Sequence, residues 1–356
     1  MYPILSSMKH KIISVFLFLF TSFLCAAEDI PQIKFLDETE AKKEIVNDSL
    51  APYFNQLQPM EMSAKTGSQI AGTTLDEMRA ECRLRYQNAA KSFSAEEQEE
   101  IKKLITEINP SLKKDYPKFA ALSWSFLKVS DNIEGGLPHT RDHHIILSEG
   151  ICKNIISSPN KLFFIELFIH EQFHVFQRLN PGFFSSLYKN IWGLEKADKI
   201  NGCDWLVVHH LANPDALDCT WILPVKKDSD TTYILPLVVF SDGESLKKMP
   251  KDFQMLGITL TKSPDGFNMQ PQPDKDGKPV SQNLLAVKEY RDAFLSLSTN
   301  IYHPEEASAD IFAKTIMMDY LYSSGKIPQA NYDKIEKLIG NLRSWLKENM
   351  KTEQKK

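Results

Sequence analysis

The sequence lacks an excess of basic residues, long apolar runs and internal repeats. Its 356 residues include 42 Lys and Arg against 46 Asp and Glu, so the formal net charge is −4. Such a chain has no general basic character of the kind that binds nucleic acid. The apolar run Ile12–Cys25 has 14 residues, whereas a transmembrane helix needs about 20. Nucleic-acid-binding, membrane-spanning and solenoid proteins are therefore disfavoured.

Residues 1–27 instead fit a cleavable secretory signal. Lys9 and Lys11 form its positive start, the apolar run follows, and the small residues Ala26 and Ala27 end it. This arrangement predicts export to a periplasm or an extracellular space, with cleavage after Ala27. The alternative is an uncleaved membrane anchor, which the short run disfavours. Cleavage would remove two lysines and no acids, so the mature charge becomes −4 − 2 = −6.

Cysteine is scarce, and four of the five cysteines follow the predicted signal: Cys82, Cys152, Cys203 and Cys219. Export permits disulfides, and four cysteines allow three pairings. Cys203 and Cys219 are the favoured pair, because they flank one local segment. The alternative is four buried free thiols.

The first part of the mature chain, residues 28–120, is predicted to be mostly helical. Helices are expected at about 75–92 and 95–108, because each begins with a capping box of hydroxyl and carboxylate side chains. The second helix should end before Pro110, since proline disrupts a helix interior.

Residues 121–356 form the predicted catalytic domain, with a β-rich insertion at about 200–283. Alternation around Trp124 predicts a half-buried strand, and a second short strand is expected at His143–Leu147. A long helix should then begin at Ser158 and end at about Leu179. Strands are expected at Trp221–Val225, Tyr233–Phe240 and Leu256–Leu260, followed by helices at about 284–299, 304–323 and 328–348.

The long helix carries the pentad His170-Glu171-Gln172-Phe173-His174. Residues four apart lie on one helix face, so both imidazoles can bind one ion. Catalytic zinc keeps three protein ligands and one open position, and Glu171 can take the proton of the water there. The alternative is an accidental match, but a helix this apolar disfavours unpartnered histidines and a glutamate.

The third metal ligand must come from further along the chain, and Glu306 is the strongest candidate. Pro304 starts a helix, so Glu306 and Asp310 lie four apart on one face. The small residues between them allow close helix approach, and Asp310 would accept a hydrogen bond from a ligand histidine. Glu305 is the fallback ligand.

These two helices resemble those of the gluzincin metallopeptidases, which pair the pentad with a downstream Glu and an Asp four residues later. The resemblance covers the two helices alone, and 132 positions separate His174 from Glu306. It implies an α+β, zincin-like fold in which a small sheet packs on the active-site helix. It also implies an edge strand for extended substrate, at His143–Leu147. The implied roles are metal ligation by His170, His174 and Glu306, catalysis by Glu171, and histidine support by Asp310.

Hydrolysis also needs a donor for the developing oxyanion. Tyr302 and His303 border the helix that carries Glu306 and are the first candidates. His209, His210 and Tyr320 are further candidates among which the sequence does not choose.

Taken together, the sequence predicts an exported zinc metallopeptidase with one Zn²⁺ per chain, acting on a peptide or protein substrate. It predicts no nucleic-acid partner and no stable membrane insertion after signal cleavage. Two alternatives are an inactive zincin-like binding protein and an exported interaction protein with an accidental pentad. Endopeptidase and exopeptidase action both stay open.

Overall fold

The computed structural model describes residues 31–227, 230–243, 246–264, 268–294 and 297–351. The predicted signal at 1–27 lies outside this range. Among the described helices, not one combines the length and apolar character that crossing a membrane requires.

Among the described residues, the first sheet has five strands: β1 Ile33–Phe35, β2 Ala90–Lys91, β3 Trp124–Val129, β4 His139–Arg141 and β5 His144–Ser148. Strands β1 and β3 run parallel, as do β3 and β5, whereas β2 pairs antiparallel with β3 and β4 pairs antiparallel with β5. Every residue of β3 is buried, so the predicted half-buried strand is in fact a central strand, buried on both faces.

The strand predicted at the sheet edge is internal. Strand β5 lies between β3 and β4, so the expectation that His143–Leu147 forms the edge is wrong. The edge strand is β4, immediately before it in the chain. A tight turn at Asp142, with φ of 48°, joins the two strands and folds β4 back along the outer side of β5.

From residue 31 onwards, five helices precede β3: α1 Glu38–Glu44, α2 Pro59–Lys65, α3 Leu75–Ala89, α4 Ala95–Asp115 and α5 Pro117–Ala120. The capping boxes at Thr74 and Ser94 are present. Helix α4 does not end before Pro110 but continues through it. Ile108 and Leu112, on either side of the proline, are buried in the core, and this packing offsets the hydrogen bond that proline removes. Because β1 and β2 come from residues 28–120, this region is part of the first sheet.

Three helices follow the first sheet: α6 Glu149–Ser157, α7 Lys161–Leu179 and α8 Ser185–Asn190. Helix α7 carries the pentad and is called the pentad helix. Asn160, rather than Ser158, caps it by accepting a hydrogen bond from the backbone N–H of Phe163.

The β-rich region predicted after residue 200 contains an antiparallel sheet, which has six strands among the described residues. The elements are β6 Glu195–Lys196, α9 Asp204–His209, β7 Trp221–Lys227, β8 Asp230–Phe240, β9 Phe253–Lys262, β10 Met269–Pro271 and β11 Ser281–Asn283. The strand order is β10-β9-β8-β7-β6, and β11 pairs with β9. The runs predicted as strands all lie in this sheet, although the strands extend beyond them.

The last part of the chain is helical, with α10 Lys288–Ala293, α11 Pro304–Ser323, α12 Gln329–Leu338 and α13 Gly340–Asn349. The helix predicted at 304–323 is confirmed, whereas α10 is shorter than the predicted 284–299, and the helix predicted at 328–348 is divided at Ile339 into α12 and α13. Helix α11, called the glutamate helix, packs against the pentad helix. Phe173 and Phe312 meet with ring centroids 4.2 Å apart, and Ala309 is fully buried. With two small sheets and many helices, the protein is mixed α and β, in keeping with the predicted α+β class.

The favoured disulfide does not form. Cys82, Cys152, Cys203 and Cys219 are all free. The alternative of four buried free thiols is confirmed for Cys82 and Cys152, whereas Cys203 and Cys219 are free but only partly buried. Cys203 and Cys219 pack among the apolar side chains of the second sheet. The sulfur of Cys219 lies 3.7 Å from Nε2 of His210.

Candidate metal centre

The pentad helix and the glutamate helix bring three ligand atoms together. Nε2 of His170 lies 3.1 Å from Nε2 of His174. Oε2 of Glu306 lies 3.5 Å from the first nitrogen and 3.6 Å from the second. Over the described residues, these three side chains form the group of His, Cys, Asp or Glu residues able to hold a metal ion.

The three separations of 3.1, 3.5 and 3.6 Å are close to those expected for three ligands of one tetrahedral ion. Ligand atoms about 2.0–2.2 Å from zinc, at tetrahedral angles, lie roughly 3.3–3.6 Å apart. His174 and Glu306 are almost fully buried, whereas His170 keeps 16% of its side chain exposed. The triad therefore has an open side at His170.

Gln177 determines which nitrogen of His174 carries the proton. Its Nε2 donates to the backbone oxygen of Glu305 at 3.1 Å, and a carbonyl can only accept. Its Oε1 must then be the group 2.9 Å from Nδ1 of His174, so Nδ1 donates the hydrogen bond. This leaves the lone pair of Nε2 directed at the metal position.

Two amides hold the Glu306 carboxylate. Nδ2 of Asn213 donates to Oε1 at 2.5 Å, and Nδ2 of Asn300 donates to Oε2 at 2.8 Å. Burial opposes the charge of this carboxylate, but His174 and His170 keep the pKa of Glu306 well below its usual range. The ligand is thus ionised and fixed in orientation.

Glu171 is the second acid of the centre and is only 3% exposed. Its Oε2 has no hydrogen-bond partner. Burial, followed by the charge of Asp215, raises its pKa well above the usual value. An unpartnered buried carboxylate beside the triad fits a group that accepts a proton from a molecule in the cleft.

The triad opens onto a cleft of about 490 Å³. Its walls come from the loop before β4, the pentad helix, the loop between α9 and β7, β9 with the residue Pro250 before it, and the glutamate helix with the loop that precedes it. The polar residues that line it are Glu166, His170, Glu171, Asp215, Thr299, Asn300, Tyr302, Glu306 and Asp310.

Two residues predicted for the site have other roles. Asp310 does not support His174, since Gln177 does, and its Oδ2 accepts a hydrogen bond from Nζ of Lys314 at 2.7 Å. His303 caps the glutamate helix. Its Nδ1 accepts from the backbone N–H of Glu305, so Nε2 is protonated and donates to the oxygen of Asp218. With both nitrogens engaged, His303 has no donor left for an oxyanion.

Tyr302 lies in the cleft wall, as required of an oxyanion donor. The other candidates lie elsewhere: Tyr320 hydrogen-bonds to Glu107, His209 contacts Asp242, and His210 lies next to Cys219. The fallback ligand Glu305 faces a different depression from the cleft. Sequence reasoning did not find Gln177, Asn213, Asn300 or Asp215 as site residues.

In comparisons with known proteins, the chain matches no family model, no curated protein and no solved structure.

Proposed function

We propose that this protein is an exported zinc-dependent peptidase of the gluzincin type. The observation that carries the proposal is the convergence of Nε2 of His170, Nε2 of His174 and Oε2 of Glu306 at tetrahedral ligand spacing. A catalytic zinc site can have this ligand set of two imidazoles and one carboxylate, with one coordination position left open for water or substrate.

A bound zinc ion would supply Lewis-acid chemistry, polarising a carbonyl and acidifying water. The protein's own residues do the remaining work. Glu171, buried beside the triad, takes a proton from the attacking water and passes it to the leaving amine. Gln177 keeps His174 in the tautomer that can bind metal, and Asn213 and Asn300 keep Glu306 in place. Tyr302 is the candidate donor to the oxyanion.

A peptide fits this cleft better than a compact small molecule does. Leu137 and Pro138, which lead into the edge strand β4, line the cleft beside the triad. Extended peptides bind proteins by pairing with such strands. The cleft also has the size of an ordinary ligand site, which is roughly 300–1,000 Å³.

Metal analysis combined with cleavage profiling tests the proposal. The full chain, purified without added zinc, should contain about one zinc per chain, and His174→Ala should lose it. Wild type should cleave peptides, whereas Glu171→Gln should retain zinc and lose turnover. Zinc without any cleavage would indicate a binding protein, and absence of zinc would indicate an accidental pentad. Export predicts that the mature protein begins at Glu28, which amino-terminal sequencing can check.

A further inference from the structure

A short segment, Leu211–Asp215, passes beside the cleft, which Asp215 lines, and is called the crossing segment. Its ends and its middle are held by several elements. The backbone N–H of Leu211 donates to Val238 in β8, and that of Ala212 donates to Oε2 of Glu61 in α2. Arg178 of the pentad helix donates to the backbone oxygen of Pro214 at 2.9 Å. These anchors make the segment a fixed wall.

Asp215 closes the edge strand. Its Oδ1 accepts hydrogen bonds from both the backbone N–H and the hydroxyl of Thr140, each at 2.6 Å. Amides alternate in direction along a strand, so Thr140 provides the outward amide of the three-residue strand β4. Asp215 therefore occupies the position at which a longer substrate would continue its pairing. Asp215 lines both the cleft and a depression of about 250 Å³ beyond it, so it stands between the two.

The end of the cleft at Asp215 is lined by carboxyl groups. Asp215 and Glu171 both line the cleft, and they lie close enough for the charge of Asp215 to act on Glu171. Among the described residues, no lysine or arginine lines the cleft. The buried Oε2 of Glu171 has no hydrogen-bond partner. Arg178, whose charge also interacts with Asp215, donates to the backbone oxygens of Asp142 and Pro214 and to the hydroxyl of Thr140, and it does not line the cleft. A substrate carboxylate would find no side-chain cation at this end, whereas an ammonium group would find the carboxylate of Asp215.

A side pocket of about 80 Å³ adjoins this end and shares Pro138, Asp215, Phe253 and Tyr302 with the cleft. Most of its remaining wall is apolar, with Leu211, Val238 and Met249 among the residues. Its one lysine, Lys65, is paired with Glu134 at 3.0 Å. The pocket therefore suits an aliphatic side chain next to a charged amine.

We propose that the enzyme is an aminopeptidase, in which Asp215 binds the free amino terminus of the substrate and the side pocket takes the first side chain. This inference rests on the proposed function. Water adds to the first peptide carbonyl, the bond from its carbon to the following nitrogen breaks, and that nitrogen leaves as an amine carrying the proton delivered by Glu171. One amino acid and a shortened peptide result.

The test compares matched peptides with free and acetylated amino termini, using the zinc-containing full chain and mass spectrometry to locate the cleaved bond. Wild type should remove the first residue of the free peptides. Asp215→Asn should lower kcat/KM for these peptides roughly 30-fold or more, as expected when a charged group loses its partner of opposite charge. Asparagine keeps an oxygen that accepts from Thr140, so the wall is preserved. Asp218→Asn, outside the cleft, should behave as wild type.

Several outcomes would overturn the inference. They are equal cleavage of acetylated peptides at internal bonds, cleavage directed by an internal lysine of an acetylated peptide, and wild-type kinetics of Asp215→Asn. Calorimetry with zinc-loaded Glu171→Gln adds a readout without turnover: free peptides should bind roughly 30-fold more tightly than acetylated ones, and equal binding contradicts the role of Asp215. Zinc-dependent cleavage at internal bonds would contradict the aminopeptidase inference but not the proposed peptidase function. Absence of zinc from the purified chain would contradict both.

Discussion

Oε1 of Gln177 lies 2.9 Å from Nδ1 of His174, three residues earlier on the same helix. The same amide donates to the hydroxyl of Tyr188 and to the backbone oxygen of Glu305, which links the pentad helix to the glutamate helix. One side chain thus sets the tautomer of a ligand histidine and ties together the two helices that supply the metal ligands.

Replacing Gln177 with leucine should weaken zinc binding. Without the acceptor at Nδ1, His174 can place its proton on Nε2, the atom that must be bare to bind metal. Loss of such a supporting hydrogen bond typically costs 10- to 100-fold in metal affinity, and competition with a chromophoric chelator would measure it. Asp310→Asn is the matched control and should leave affinity near that of wild type, because the partner of Asp310 is Lys314. If Asp310→Asn lost more zinc affinity than Gln177→Leu, Asp310 and not Gln177 would be the residue that supports the ligand histidine.

Substitution of His303 should affect stability rather than catalysis. His303→Ala removes the cap of the glutamate helix and the hydrogen bond to Asp218, which together should cost about 1–2 kcal/mol of unfolding free energy. Removal of an oxyanion donor would instead lower kcat by roughly 100- to 1,000-fold. Urea unfolding and peptide hydrolysis below the melting range separate the two. A kcat loss of that size, with zinc retained, would make His303 a catalytic residue after all.

The metal triad could be predicted because its pattern is local. His170 and His174 are one helical turn apart, and Glu306 is marked by Pro304 at a helix start. The hydrogen bond from Asn213 to Glu306 could not be predicted, because the two residues are 93 positions apart and the contact depends on how the crossing segment folds. Gln177 had a local signal, its position one turn after His174. Asp310 was predicted from an equally local signal, its position four residues after Glu306. In the structure its carboxylate instead accepts a hydrogen bond from Lys314.

Errors in the fold have a similar origin. Pro110 ends a helix by local rules, but buried apolar neighbours on both sides keep α4 intact. His143–Leu147 reads as a strand from its composition, and only the pairing of β4 shows that it is internal. Local propensity identifies the elements, whereas burial and pairing determine their limits and their neighbours.

The buried pair Lys65 and Glu134 should be costly to break. Nζ of Lys65 lies 3.0 Å from Oε2 of Glu134, and both side chains are at most 2% exposed. Lys65→Met leaves a buried carboxylate without its cation, which should reduce the unfolding free energy by about 3–5 kcal/mol. The double variant Lys65→Met with Glu134→Gln should recover much of this loss, because neither charge remains. Urea titrations of wild type, Lys65→Met and the double variant measure these unfolding free energies. A double variant no more stable than Lys65→Met would contradict the argument.

Acid should destabilise the protein through His144 in β5. Burial lowers the pKa of folded His144 to about 4, despite Oε2 of Glu44 at 3.9 Å from its Nε2, whereas an unfolded chain has a value of about 6.5. The folded state therefore favours neutral histidine. This stabilisation is complete above pH 6.5 and is lost as the pH falls from 6.5 to 4, amounting to about 3 kcal/mol. Between pH 7 and pH 4, wild type should lose that much more unfolding free energy than His144→Asn, which cannot titrate there. Burial is the largest cause of the lowered His144 pKa, and the neighbouring His143 lowers it further. His143→Gln removes only this smaller effect, so it should keep most of the pH dependence of the unfolding free energy, measured by urea unfolding. If the unfolding free energies of wild type and His144→Asn fell equally between pH 7 and pH 4, the acid sensitivity would arise from other groups.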